Sequence, residues 1–151
     1  MARSTFVYVT YIRTTPEKLW SALTDRDFMT RYWFGMHCES EWTEGSAWRM
    51  VRTDGSTCDA GTIVESDPPH RLVIRWQHVD RPELEAEGES LCTMELAAAG
   101  AAVKLSVTHT IEREHSRFIE AVSGGWPKIL SNLKSLLESG EVALTSKEFP
   151  K

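Results

Sequence analysis

The stretch FIEAVSGGWPKILSNLKSLL, residues 118–137, decides the fold. Its apolar positions Phe118, Val122, Trp126, Ile129, Leu130, Leu133, Leu136 and Leu137 recur at i, i+4 and i+7, which lines them along one face of a single long helix. Gly124-Gly125 and Pro127 fall inside that pattern, so the spacing predicts a helix kinked or loosened near its middle. Upstream, almost everything between Gly35 and Thr110 alternates with the period of strands. One amphipathic helix must therefore cover the apolar face of an antiparallel sheet, and the gap between them is a natural ligand cavity.

Working back to the start of the chain, residues 3–13 alternate as a first strand. Thr15-Pro16-Glu17 then supplies a helix cap with proline at the first helical position, and Leu19, Trp20 and Leu23 form the buried stripe of a short helix. Asp25 caps a second short helix that carries Phe28, Met29 and Tyr32 up to the turn at Gly35. A strand from Met36 follows, with Met36, Cys38 and Trp42 on one face. Turn signals at Glu44-Gly45, Asp54-Gly55, Asp67-Pro68-Pro69 and Ala99-Gly100 separate further strands at 46–52, 57–66, 71–78, 90–97 and 102–111. The expected architecture is α+β: a seven-stranded antiparallel sheet wrapped around a long C-terminal helix, with two short helices after strand one, as one domain over residues 1–151. The acidic stretch 79–89, with Pro82, reads as a mobile rim loop, and its Glu83, Glu85, Glu87 and Glu89 as a solvated face.

Alternation also assigns faces. Leu72, Ile74, Trp76 and His78 share the core side of one strand, Cys92, Met94 and Leu96 of the next, and Val103, Leu105, Val107, His109 and Ile111 of the last. Trp48 and Met50 point inward in theirs, while the parity of Asp59, beside Gly61, is open. His78 and His109 thus end two otherwise apolar rows.

A net charge of −5, with scattered Lys and Arg, argues against nucleic-acid binding. No apolar run approaches a membrane span. Cys38, Cys58 and Cys92 are odd in number and widely spaced, which fits reduced thiols buried as small hydrophobes in a cytoplasmic protein. The glycine-rich nucleotide loops, the Gly-x-Ser-x-Gly elbow and His-Glu-x-x-His are missing, and no cofactor is expected. His109, Glu112, Glu114 and His115 are the nearest approach to a metal cluster, but they straddle a strand end and read equally as an acidic helix start.

Several segments together carry a resemblance: Thr15-Pro16-Glu17-Lys18-Leu19-Trp20 with Ala22-Leu23-Thr24, Tyr32-Trp33-Phe34-Gly35, Asp67-Pro68-Pro69 with Leu72 and Trp76, residues 105–109, and Gly124-Gly125-Trp126-Pro127 with Leu130 and Leu133. In their order the chain resembles the START-like, or helix-grip, superfamily. Within it the chain is similar to the bacterial branch related to the activator of heat-shock-protein ATPase. The resemblance implies a deep cavity between the sheet and the C-terminal helix, a space that superfamily members use for lipids, hormones or polyketides.

The expected function is binding of a small hydrophobic molecule among Trp33, Phe34, Trp48, Trp76, Met94, Val122 and Trp126, with His78 and His109 orienting its polar end. A co-chaperone or regulatory domain with a protein partner is one alternative. An enzyme of the polyketide cyclase or aromatase type is another, with His109 as its acid/base. The protein is expected to be a monomer or homodimer.

Overall fold

The computed structural model describes residues 3–145. Strand β1 (Ser4–Ile12) leads into α1 (Pro16–Thr24) and α2 (Arg26–Tyr32). The Thr15 side chain accepts the Lys18 N–H at 3.2 Å, and Asp25 accepts the Asp27 N–H at 2.8 Å, so both short helices start on the caps that the sequence supplies. Trp20 is only partly buried; α1 buries Leu19, Ala22 and Leu23.

Strands β2 (His37–Ser40), β3 (Ala47–Val51), β4 (Thr57–Asp67) and β5 (Arg71–His78) come next, then the short helix α3 (Pro82–Glu85), β6 (Ser90–Ala99), β7 (Ala102–Ile111) and the long helix α4 (Arg117–Ser139). The seven strands form one antiparallel sheet in the order β1-β7-β6-β5-β4-β3-β2, with β1 and β2 as its edges. This is the helix-grip architecture.

The inward rows are those that parity assigns. Leu72, Ile74, Trp76, Cys92, Leu96, Val103, Leu105 and Val107 are buried and meet Ile129, Leu130, Leu133 and Leu136 of α4 in one core. Val51 is buried although Met50 beside it is buried too, because the ladder of β3 with β4 shifts register between these residues. A second shift, at Ile63/Glu65 in β4, leaves the register from Asp59 to Ile63 offset from that of Glu65 to Asp67.

Helix α4 is helical throughout from Arg117 to Ser139 with Pro127 inside it, and its apolar face meets the core on both sides of the proline. One expectation needs correction. The 79–89 connection is not merely a solvated rim: it forms α3 and buries Leu84 at 4% exposure.

Candidate functional site

Between the concave face of the sheet and the first half of α4 lies a cavity of about 430 Å³. Its apolar wall comes from Trp33 and Phe34 after α2, Trp76 on β5, Leu84 on α3, and Phe118, Val122, Gly125 and Trp126 on α4. The aromatic rings brace one another: Trp126 meets Trp33 edge-on at 5.5 Å between ring centroids and Trp76 at 5.9 Å. Arg52, Asp59, His78 and Arg81 form the polar part of the wall.

Cross-strand register creates the central polar pair. Asp59 on β4 stands directly opposite His78 on β5, and the next inward pair along the ladder is Gly61 opposite Trp76. Gly61 is required there, because a Cβ at this position would lie 1.7 Å from the Arg75 carbonyl oxygen. His78 Nδ1 lies 2.6 Å from Asp59 Oδ1, with both side chains largely buried. Arg52 is engaged by Asp80, and Arg81 lies 3.3 Å from Glu83. Cys58 also lines the wall, and burial pushes its thiol up to about 12, so it stays protonated and is a poor nucleophile. The other two cysteines are likewise free and buried.

The acidic connection holds the entrance of α4. Ser116 caps the helix by accepting the Ile119 N–H at 3.0 Å. Glu87 accepts the Ser116 hydroxyl and the backbone N–H groups of Arg117 (2.9 Å) and Phe118 (3.3 Å). Burial works against its charge, yet those donors hold the Glu87 carboxyl below the usual range. Periodicity carries no trace of a cap that arrives from 29 residues away.

Six of the nine residues expected around a ligand line this cavity: Trp33, Phe34, Trp76, His78, Val122 and Trp126. Three do not. Trp48 and Met94 border a separate void of about 20 Å³ deeper in the core, because the Trp48 ring packs on Trp76 at 4.4 Å between centroids. His109 borders neither, since Trp76, Phe118 and Trp126 enclose it completely.

The interactions of His109 fix its state. Trp126 Nε1 can only donate, and it donates to His109 Nδ1 at 3.2 Å. Nε2 therefore carries the hydrogen and donates to Ser90 Oγ at 2.7 Å, and Ser90 passes its own hydrogen to the Trp76 carbonyl at 3.0 Å. Burial drives the ring's pKa down to about 3, so it is a neutral structural link and not an acid/base at the cavity. His109 and its supposed metal partners are also far apart in environment: His109 is fully buried, whereas the His115 side chain is 94% exposed.

No curated protein matches the sequence. Several solved structures share the fold. The Aha1 dimer from Colwellia psychrerythraea aligns at 22% identity with a TM-score of 0.72, over 91% of this chain and 98% of the other. PFC0360w, an HSP90 activator from Plasmodium falciparum, aligns at 24% identity and 0.72, over 88% and 95%. DynU16, from the dynemicin biosynthetic locus, aligns at 20% identity and 0.77, over 95% of this chain and 51% of its own length. The sequence profile of the Activator of Hsp90 ATPase homolog 1-like proteins matches residues 13–138, most of the chain, and the protein belongs to that family.

Proposed function

We propose that this protein binds a small, mainly apolar and aromatic molecule carrying one polar group, in the cavity between the sheet and α4. The observation that carries this reading is the composition of the wall: aromatic and aliphatic side chains nearly all round, with the Asp59–His78 pair on one side. The volume of about 430 Å³ suits a ligand of two or three fused rings. Occurrence of the fold in a protein of the dynemicin biosynthetic locus adds support for a small-molecule role. Buried free thiols fit residence in a reducing cytoplasm.

A second reading, a regulatory domain acting on a protein partner, draws on the family's relation to Hsp90 activators and on Val7, Val9 and Tyr11, which stand exposed on the outer face of edge strand β1. The cavity favours the first reading, because an interaction domain needs no interior space.

Native mass spectrometry of gently purified protein, followed by titration of the recovered molecule against tryptophan emission, tests the proposal. A stoichiometric adduct that quenches emission is expected, and Val122→Phe, which fills the cavity, is expected to weaken its binding at least ten-fold without loss of the fold. Binding that is indifferent to this substitution would place the ligand elsewhere.

A further inference from the structure

Two buried ring nitrogens on the inward row of β5, His78 Nε2 and Trp76 Nε1, have no hydrogen-bond partner among the described residues. Both residues line the cavity. A buried polar atom without a partner costs stability, so a pair of them on one wall calls for an explanation. The two atoms differ in what they can do. Trp76 Nε1 can only donate. In the neutral His78 ring, Nδ1 faces the acceptor-only carboxylate of Asp59 at 2.6 Å and so carries the hydrogen, which leaves Nε2 with the lone pair. One wall therefore holds a free acceptor backed by a carboxylate and, two residues away on the same strand, a free donor.

An acidic hydrogen next to a carbonyl oxygen has the matching needs. Resting on the binding reading above, we propose that Asp59 and His78 form a proton-abstracting dyad acting on a carbon acid, an aromatic ketone or related carbonyl compound held in the cavity. His78 Nε2 takes the α-hydrogen; the electron pair of the broken C–H bond forms the C=C bond of an enolate, and the carbonyl π pair moves onto oxygen. Trp76 Nε1–H donates to that oxygen, and the Asp59 carboxylate faces the positive imidazolium that results. Return of the proton to the same carbon or to its conjugated neighbour completes an exchange or an isomerisation, with no change of oxidation state and no co-reactant. Nothing else in the wall offers this chemistry: the Cys58 thiol is held protonated, and Arg52 and Arg81 already face carboxylates. Solvent reaches neither His78 Nε2 nor Trp76 Nε1, and the Phe118 ring lies 6.3 Å from that of His78 between centroids, so the proposal requires side chains of this wall to move aside before substrate meets either atom. His78 is the catalytic residue of the proposal and Asp59 its positioning residue.

The test uses the whole protein and 2-tetralone, a fused-ring ketone, in deuterated water. Tryptophan emission reads its binding, and loss of the α-proton signals in NMR spectra reads exchange. Saturable binding and exchange above the buffer rate are expected for the wild type. His78→Gln, which keeps hydrogen-bonding capacity but cannot take the proton, is expected to lower the exchange rate of bound tetralone about a hundred-fold, with affinity changed less than about three-fold. Asp59→Asn is expected to lower the maximal rate by ten-fold or more at unchanged KM. If His78→Gln proves unfolded by circular dichroism, Val122→Phe replaces it, and exchange must then fall with occupancy of the cavity. Bound tetralone that exchanges no faster in the wild type than in His78→Gln would overturn the dyad and leave the binding reading standing. A failure of tetralone to bind at all would overturn the binding reading on which the dyad rests.

Discussion

Both ring nitrogens of His109 have partners. Trp126 donates to one ring nitrogen, Ser90 takes the hydrogen of the other, and the Trp76 carbonyl closes the chain, all within aromatic packing that excludes solvent. Around His78 only one side of the ring is bound, by Asp59, and the residue borders open space. The two histidines lie on inward rows of the same sheet, so strand parity treats them alike. Their difference comes from what packs around each ring: Trp76, Phe118 and Trp126 all close on His109, whereas among the described aromatic rings only Phe118 approaches His78, at 6.3 Å between centroids. A buried histidine is thus a structural or a chemical group according to whether its second nitrogen is answered.

Substitutions can break that contrast directly. His109→Ala removes a fully buried ring and strands the Trp126 and Ser90 groups, so a loss of about 3 to 5 kcal/mol is expected by chemical denaturation. His78→Ala removes a less buried ring and strands one group, the Asp59 carboxylate, and is expected to cost less. Equal losses would show that the two regions are packed alike. The contrast extends along α4. Leu133→Ala, at a fully buried position, is expected to cost about 2 to 5 kcal/mol, and Val122→Ala, facing the cavity, about 1 kcal/mol, both read from urea midpoints.

The contrast also has a signature in pH. His109 is neutral when folded, with a pKa near 3, and titrates near 6.5 when unfolded. The unfolded chain therefore binds the extra proton first, and stability contributed by this residue is present above about pH 6.5 and is lost as pH falls toward 3. At pH 5 that loss is about 2 kcal/mol relative to pH 7. His109→Gln is less stable at neutral pH but is expected to lose this part of the acid dependence. A pH slope unchanged in the variant would mean that His109 is not the neutral link described above.

Much of this was legible in the sequence because short-range rules decide it. The starts of β5 and β7 follow from the turn residues before them, and the caps Thr15 and Asp25 sit beside the helices they start. Inward rows on β5, β6 and β7 follow from a period of two. What escaped the sequence depends on pieces meeting in space. The parity of Asp59 could not be read because β4 changes register within its length, so the pair with His78 emerges only from the ladder. Trp48 and Met94 are inward as expected, but distance from the cavity is set by how the Trp48 and Trp76 rings stack. Glu87 looked like one more surface acid because its partners lie on another element.

That last residue links the motion of two elements. Glu87 belongs to the connection that carries α3 and Leu84 at the cavity wall, and it also holds the first N–H groups of α4. Fraying of the helix start and opening of this rim are therefore expected to be coupled through Glu87. Amide exchange at Arg117 and Phe118 would report how often the interior becomes accessible, and a bound molecule would slow it. The rate at which the interior fills and empties can then be tuned by a surface carboxylate that touches none of the cavity's contents.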